Sequence, residues 1–503
     1  MIKYKHTLIY VSKHKQFASK QEGALAMMLC LLSHFGLTTA AAAIGVLLLP
    51  FSVCANKLPE LPSGASGAGR FGAYYTTLKY EERWDAPWRI SDHADVVVQF
   101  ATGGHKFVFW RGTSYIPCWV TDTGIWYTNE FVERNGADSP NTRGCCEPMS
   151  DKQCRYSHVR IIESTDARVV VHWRYAPVDT QYNHPFIDPD TGWSDWVDEY
   201  YYIYPDAVGV RKITVHSTQL DKWMEWHEAI VLNQPGTMPE DNIELDAISI
   251  ATMQGESKTY TWDKNGAPRF ENDLADANIL KVNLKATLKP FAITPPATKP
   301  RGPIITSYRG HGKGSCFNFW DHWPVSHAAS DGRLAESSER PSHSSLAHIG
   351  KRGATHWNYY AQGDQWRTRI MLHGMTDLAT AELTPLAKSW AHAPELKIMG
   401  EGYIAKGYDQ AERAYQMESI TDHSAPLSFS IDAKAERPLI NPAFVIKNWN
   451  DDSGEVALRL NKKKCKPADA FRSGYHHTLE GTNLIVWLNV NATETTEISI
   501  LRM

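Results

Sequence analysis

The sequence predicts an all-β protein, a large antiparallel β-sandwich of the supersandwich type followed by a small C-terminal β-module. From about residue 92 to 285, short runs rich in β-branched and aromatic residues follow one another, separated by Gly, Pro, Asn or Asp. Long helical periodicity is absent from this stretch. The 18 Trp, 22 Tyr and 16 Phe suit a β-rich fold. These observations together favour a sandwich.

Residues 1–55 are predicted to be a signal peptide. Five lysines and a single Glu open the segment, two apolar runs follow, and residues 53–55 place small side chains where a signal peptidase reads. Translation from Met27 or Met28 would shorten this long leader. A membrane anchor is the alternative, because the apolar stretch approaches the ~20 residues that span a bilayer. We expect a secreted or periplasmic protein.

The mature chain would be more acidic than the full sequence. Removal of the leader changes the formal net charge from −4 to −8 and leaves every Trp in place. This balance argues against a nucleic-acid partner, which favours a basic domain. No later segment approaches ~18 consecutive apolar residues, so no membrane partner is expected after leader removal. We treat the mature protein as a monomer.

Four cysteines lie close together in the sequence, at Cys118, Cys145, Cys146 and Cys154. An exported chain can oxidise its thiols, so one or two local disulfides are expected here. A structural metal is the alternative, but no paired Cys-x-x-Cys spacing supports it. The sequence predicts no cofactor and no set of metal ligands, and a structural calcium ion is the one alternative.

The remaining chain divides by composition. Residues 56–91 are rich in Gly, Ser and Pro and predict a linker leading into the first sheet. The sandwich is expected over 92–385, and it includes a proline-rich crossover at 286–303 and a loop region at 306–369 that is dense in His, Trp and Asp. Strand signals resume afterwards, so residues 386–503 predict the C-terminal β-module.

Several familiar motifs are excluded. The Gly-x-Gly-x-x-Gly match at 67–72 neither follows a strand nor opens a βαβ unit, so it predicts a flexible linker. No Gly-x-Ser-x-Gly elbow and no Walker sequence occur. His227 and Glu228 lack the second His of a zinc-protease helix.

Several predicted strands have one apolar and one cationic face. In the strand at 168–175, alternation places Val169, Val171, Trp173 and Tyr175 on one face. Arg168, Val170, His172 and Arg174 occupy the other, and the strands at 158–163 and 208–216 are similar. In an acidic protein, a basic sheet face suggests a cleft for an anionic ligand. A solvated outer face is the alternative.

Two further segments combine polar and aromatic groups. Residues 110–119 and 145–158 place Arg, Tyr and His beside turns that cysteines would fix, and a stabilised turn over an aromatic core is the alternative. Residues 318–360 look like functional loops on a rigid scaffold. A surface insertion is the alternative, and metal binding by its histidines lacks a clear ligand spacing.

Three stretches resemble a known group of proteins. The segments Phe109–Val120, Gly144–Arg160 and Phe319–Pro324, with Ser330–Arg333, resemble secreted bacterial β-sandwich proteins of polysaccharide-degrading systems. Ulvan-lyase-like polysaccharide lyases are the nearest named group, and the resemblance covers roughly residues 90–380. It implies a lyase that cleaves a uronate-containing polysaccharide, with or without sulfate, by β-elimination.

Such a lyase must neutralise the uronate carboxylate, remove the C5 proton with a base, and protonate the leaving oxygen. Arg suits the first task, and His or Tyr suits the others. The residues expected to be catalytic are Arg155, Tyr156, His158, Asn318 and His322. The residues expected to bind the acidic polysaccharide are Trp110, Arg111, Tyr115, Arg174, Trp320, Trp323, Arg333, His343, His356 and Trp357.

Two other functions fit the same residues. A glycoside hydrolase would need two carboxylates flanking the scissile bond, for which Glu147, Asp321 and Asp331 are candidates. A non-catalytic glycan-binding protein would use the aromatic face without a base. Only a lyase makes a conjugated, ultraviolet-absorbing uronide, so the product separates the three.

Overall fold

The computed structural model describes residues 60–62, 67–81, 93–129, 131–135, 141–222, 225–269, 274–297, 303–308, 314–325, 340–350, 358–421, 426–451 and 454–503. The side chains at 135, 222 and 225–226 are not part of this description. The predicted leader and half of the predicted linker lie outside the described residues, as do Arg333, His356 and Trp357.

Thirty-two strands are present in the described residues. The first twenty are β1 (Gly72–Thr76), β2 (Asp95–Gln99), β3 (Lys106–Phe109), β4 (Pro117–Val120), β5 (Trp126–Thr128), β6 (Glu133–Asn135), β7 (Cys145–Cys146), β8 (His158–Ser164), β9 (Val169–Tyr175), β10 (Trp196–Ile203), β11 (Val208–His216), β12 (Glu225–Asn233), β13 (Ile243–Ala251), β14 (Ser257–Tyr260), β15 (Ile279–Leu284), β16 (Lys289–Ile293), β17 (Ile305–Ser307), β18 (Ser342–Ile349), β19 (Ala361–Gln362) and β20 (Trp366–Thr376).

The C-terminal strands complete the set. They are β21 (Leu396–Ile398), β22 (Tyr403–Asp409), β23 (Ala414–Ser419), β24 (Leu427–Ile431), β25 (Leu439–Ile440), β26 (Ala443–Lys447), β27 (Val456–Leu460), β28 (Lys463–Lys464), β29 (Phe471–His477), β30 (Thr482–Leu488), β31 (Asn491–Ala492) and β32 (Thr496–Arg502). The described α-helices are α1 (Pro239–Asn242) and α2 (Thr384–Ala391), and short 3-10 helices span Arg111–Thr113, Pro148–Ser150, Leu220–Lys222 and Thr380–Leu383. With 47% strand against 6% helix, the predicted all-β class is confirmed.

Two ten-stranded sheets form the sandwich. Sheet 1 has the order β1-β2-β3-β4-β5-β12-β18-β17, and β6 extends it by pairing with both β12 and β7. Sheet 2 has the order β14-β13-β15-β16-β20-β11-β10-β9-β8, with β19 on β20. The apolar core between them includes Val169, Val171, Trp173 and Tyr175, as the alternation in this strand predicts. We call the opposite face of each sheet its outer face; on sheet 2, part of this face packs against α2 and C-terminal residues, and both outer faces carry the polar clusters described below.

One charged pair is buried between the two sheets. Arg211 on β11 donates from Nε and Nη2 to the carboxylate of Glu199 on β10, at 2.6 and 2.7 Å, and neither side chain has exposed surface. Tyr175 donates its hydroxyl hydrogen to the same carboxylate at 2.8 Å and accepts from the amide of Val132 at 2.7 Å. Arg211 also donates to the carbonyl of Asn129, which follows β5 of sheet 1, at 3.0 Å. The network ties sheet 2 to the backbone just before β6.

The C-terminal module has two five-stranded sheets, β21-β24-β32-β27-β28 and β22-β23-β26-β30-β29, and a ribbon of β25 with β31. An apolar core of its own packs between the sheets. Its strands are not all antiparallel, because β23 pairs with β26 in parallel. Residues Leu58–Met503 nevertheless form one compact unit. No helix among the described residues has the length and apolar character needed to cross a membrane.

The predicted disulfides are not formed: the six cysteines of the described residues are all free thiols. Each thiol in the predicted group has a different environment. Cys118 is fully buried in the core, and Cys145 hydrogen-bonds the Glu133 carboxyl. Cys146 interacts with Thr142, and Cys154 donates to the Arg111 carbonyl at 3.5 Å. Closeness in sequence therefore does not bring these sulfur atoms together.

Candidate active site

Three glutamates converge on the outer side of sheet 1, and we call Glu133, Glu147 and Glu228 the acidic cluster. Glu133 opens β6, Glu147 follows β7, and Glu228 lies on β12. Because β6 pairs with β12 on one side and with β7 on the other, the three glutamates are brought together. Glu228 faces away from the core, since its neighbour His227 is buried beside Arg211.

Burial keeps protons on these carboxyls. Loss of solvent raises the pKa of Glu147 to about 7 and that of Glu228 to about 8, with the charge of Glu147 adding to the second shift. Burial and the charges of its two partners raise the pKa of Glu133 well above its usual range. Groups that interact this closely exchange protons as a set. The cluster can therefore both donate and accept a proton near neutral pH.

Lys152 supplies a cation beside the acidic cluster. Burial lowers the pKa of its ammonium group to about 8, although the carboxylate of Glu147 opposes the shift. Its Nζ donates a hydrogen bond to the backbone carbonyl of His322. A lysine with this pKa is partly neutral at working pH and can act as a general base.

His348 and Tyr308 form one wall of the site. His348 is paired in register with Glu228 across β12 and β18, and its Nδ1 lies 3.5 Å from Glu228 Oε1. The Tyr308 ring lies 4.9 Å from the imidazole, at 33° to it. Burial and the charges of the acidic cluster raise the pKa of Tyr308 well above its usual range, so its hydroxyl keeps its proton.

Two histidines predicted from the sequence lie on the Lys152 side of this site. The rings of His322 and His343 are perpendicular, with centroids 4.7 Å apart. His343 Nδ1 hydrogen-bonds the Trp323 carbonyl at 2.7 Å. Burial lowers the pKa of His343 to about 4 and that of His322 well below its usual value, so both rings are neutral at physiological pH. The Asn318 side chain donates a hydrogen bond to the carbonyl of Ser345 at 3.0 Å. Ser345 lies on β18, the strand that also carries His343.

The other residues predicted to be catalytic lie in different surroundings. Arg155 is exposed, with its guanidinium 4.4 Å from the centre of the Tyr182 ring. Tyr156 packs edge-on against His184 at 4.7 Å. His158 is exposed at the start of β8, with its ring 5.8 Å from that of His93. In the described part of the chain, none of these three contacts Asn318 or His322.

Several residues predicted to bind substrate are buried instead. Trp110 has no exposed surface, and its ring packs edge-on against that of Trp126 with centroids 5.7 Å apart. Its ring therefore cannot stack on a sugar in this conformation, and the prediction that it binds substrate is wrong here. The same correction applies to Tyr115 and Trp323, each 1% exposed. These rings fill the core under sheet 1, as large aromatic side chains commonly do.

Three other predicted binding residues are held differently. Arg111 is buried, and its Nε lies 3.3 Å from the carboxylate of Asp95. Trp320 is half-buried, with its ring 5.9 Å from that of His322, at the Lys152 side of the site. Arg174 keeps 52% of its side chain exposed, but it lies on the outer face of sheet 2.

Sequence reasoning missed most of the acidic cluster. Glu147 entered only as a hydrolase candidate, while Glu133, Glu228 and Lys152 were not selected. A usable signal existed for Glu228, because it precedes the uninterrupted apolar run 229–232 within a strand. A charged group inside such a strand calls for an explanation. Among the described residues, no three His, Cys, Asp or Glu side chains are arranged to hold one metal ion.

Comparison with known proteins gives no family. No protein-family model and no curated protein matches the sequence. Among solved structures, galactose 1-epimerase from Lactobacillus acidophilus NCFM is 7% identical, with 61% of this chain and 99% of that chain covered at a TM-score of 0.30. The GalM/aldose epimerase homologue from C. elegans is 6% identical, with 55% and 97% covered at a TM-score of 0.25.

Proposed function

We propose that this chain is a polysaccharide lyase that cleaves a uronate-containing polysaccharide by β-elimination, with the acidic cluster and Lys152 as its active site. One observation carries the proposal. Three carboxyls and an ammonium group lie together, and burial moves the pKa values of Glu147, Glu228 and Lys152 towards neutrality. Such matched acids and bases are typical of proton-transfer enzymes.

The reaction uses three groups in distinct roles. Neutral Lys152 Nζ takes the C5 proton of the uronate, and the electron pair of that C–H bond forms the C4–C5 double bond. The C4–O bond breaks, and protonated Glu147 gives its proton to the leaving oxygen. With a pKa of about 7, Glu147 can be protonated before the step and ionised after it. No other reactant is consumed.

Glu228 binds the carboxylate of the substrate as a hydrogen-bond donor. A carboxyl with a pKa of about 8 remains mostly protonated at neutral pH and donates a hydrogen bond to another carboxylate. An ionised glutamate would repel the uronate. Donation to the uronate also stabilises the charge that develops when the C5 proton leaves. The contact with His348 keeps the Glu228 side chain directed along the outer face of sheet 1.

A glycoside hydrolase is the second candidate, and the pairing of Glu147 with Glu228 favours it. One protonated and one ionised carboxyl are the groups that glycoside hydrolysis uses. In that case Lys152 would hold the ionised partner and would not act as a base. The two candidates therefore assign opposite protonation states to Lys152 during turnover.

The product decides between them. Purified mature protein is incubated with a panel of uronate polymers, and ultraviolet absorbance and reducing ends are followed together. A lyase produces both signals in equal amounts, whereas a hydrolase produces reducing ends alone. Glu147→Ala is the control for contaminating activity. Absence of the absorbing product across the panel would overturn the lyase proposal.

A further inference from the structure

The outer face of sheet 2 has a second cluster that the proposed active site does not use. By alternation, Arg160 on β8, His172 and Arg174 on β9, and His216 on β11 all face away from the core. At one end of this face, the C-terminal module packs against it, where Arg168 contacts Glu412 at 2.7 Å. The end that carries Arg174 remains exposed.

Aromatic rings border this exposed end. Trp193 is 64% exposed, and its ring lies 5.2 Å from that of Trp196. Trp196 in turn stacks with His216 at 5.2 Å and 30°, and the guanidinium of Arg174 lies 5.7 Å from the Trp196 ring centre. We call Trp193, Trp196, His216, Arg174 and Arg160 the platform. The adjacent Trp193 and Trp196 rings and the Arg174 guanidinium thus offer aromatic surface and a positive charge at one place.

Asp198 holds the platform in one geometry. Arg174 donates to both of its oxygens at 2.8 and 2.9 Å, and His172 Nε2 and His216 Nε2 lie 2.6 and 3.3 Å from them. Burial of Asp198 opposes ionisation, but the hydrogen bonds from His172, His216 and Arg174 outweigh it and hold its pKa below the usual value. Asp198 therefore orients Arg174 and the two imidazoles.

Arg160 completes the arrangement. Its Nε donates to His172 Nδ1 at 3.1 Å, so the Nε2 of this imidazole carries the proton that Asp198 accepts. Arg160 is itself exposed. The Trp193 turn also carries two acidic side chains: Asp188, which accepts hydrogen bonds from Thr191, and the exposed Asp190. Arg174 thus lies beside Trp196 and pairs with Asp198, while exposed Arg160 is linked to this carboxylate through His172.

We infer that the platform is a second, non-catalytic binding site for an anionic polysaccharide. The exposed tryptophan suits the apolar face of a sugar ring, and guanidinium groups suit its carboxylate or sulfate. The polymer class rests on the proposed function. The site itself is distinct, because the acidic cluster lies on the outer side of sheet 1 and the platform lies on the outer face of sheet 2.

Affinity electrophoresis of the mature protein tests the platform without requiring turnover. The gels contain polygalacturonate, chondroitin sulfate or neutral dextran, and the variants are Trp193→Ala and Arg174→Gln. Leu479→Ala, at a fully exposed residue of the C-terminal module, is the control. We expect each platform variant to weaken binding to at least one anionic polymer about fivefold, with dextran binding weak throughout.

The outcomes separate the two proposals. Weaker binding by both variants supports the platform, even if the wild-type protein cleaves nothing. Unchanged binding by both variants, or equally tight binding to dextran, overturns it, even if the lyase activity is real. When the wild type is active, kcat/KM for a short oligosaccharide should be the same in Trp193→Ala, and a large loss there would instead place Trp193 in the active site and overturn the inference.

Discussion

His348 faces Glu228 across the β12–β18 pair, and the imidazole Nδ1 lies 3.5 Å from the carboxyl Oε1. The irregular register between Ala229 and Ile230 falls next to this pair. Such an irregularity changes the direction of a strand and its side chains, and it often accompanies an active site. Because Glu228 remains protonated near neutral pH, this contact presents a hydrogen-bond donor to a ligand.

The first prediction concerns the role of Glu228. If its protonated carboxyl donates a hydrogen bond to the uronate, Glu228→Gln keeps a donor of the same shape and retains activity within about tenfold. Glu228→Ala removes the donor and should lose about a hundredfold or more in kcat/KM. Steady-state kinetics on a uronate polymer measures both. Equal, severe losses in the two variants would instead indicate that Glu228 must ionise, as a hydrolase requires.

The second prediction concerns Lys152 as the base. Lys152→Arg keeps the positive charge but cannot lose its proton, so activity should fall about 10²- to 10⁴-fold. Lys152→Ala should fall as far and recover in part when small primary amines are added. Because the reaction needs neutral Lys152 and protonated Glu147 together, the wild-type activity should follow a bell-shaped pH profile with its maximum between their pKa values of about 7 and about 8. A Lys152→Arg variant with wild-type kcat would remove the lysine from this role.

The third prediction concerns stability. The pKa values of Glu147 and Glu228, about 7 and 8, exceed the ordinary value of 4.5. Between pH 4.5 and 8 the folded chain therefore holds protons that the unfolded chain has released. The free energy of unfolding falls as the pH rises through this window, by up to about 1.4 kcal/mol per pH unit for each group.

Urea unfolding between pH 5 and 8 checks this slope. Glu228→Gln has no proton to lose at this position, so its midpoint should decline less steeply than that of the wild type. Deprotonation of Lys152, whose pKa is about 8, contributes equally in both proteins, so the difference between their slopes reports Glu228. Parallel slopes for the two proteins would contradict the raised pKa of Glu228.

The fourth prediction concerns the buried Glu199–Arg211 pair. Either Glu199→Gln or Arg211→Met leaves a charge or donors unpaired between the sheets, and we expect a loss of about 3–5 kcal/mol in the free energy of unfolding. Lys466→Met removes one member of an exposed ion pair with Asp469 and should leave the unfolding midpoint unchanged. Similar midpoints for all three variants would show that the buried network does not stabilise the sandwich.

The sequence could predict the fold because alternation is a local signal. Val169, Val171, Trp173 and Tyr175 repeat every two residues, and this alone assigns them to the core and Arg174 to the outer face. The parallel pairing of β23 with β26 has no such local signature. This pairing depends on which strands become neighbours in the folded chain. No local pattern in the sequence indicates that choice.

The candidate active site was only partly predictable for the same reason. Glu133 and Glu228 are far apart in sequence and meet because β6 pairs with β12. His322 and His343 were selected from their surroundings and do lie beside Lys152. Trp110 was misassigned because an aromatic-rich turn looks the same in sequence whether its rings face solvent or the core.

The free thiols have a chemical consequence for a protein that we propose to be exported. Oxidation begins from the thiolate, and burial raises the pKa of Cys118 and Cys145 well above the usual range and that of Cys146 to about 12. Very little thiolate is therefore present at these three cysteines in the folded chain. These thiols should therefore stay reduced in air once the protein has folded, without an added reductant. Their sulfur atoms can form wrong disulfides only before sheet 1 folds and buries them.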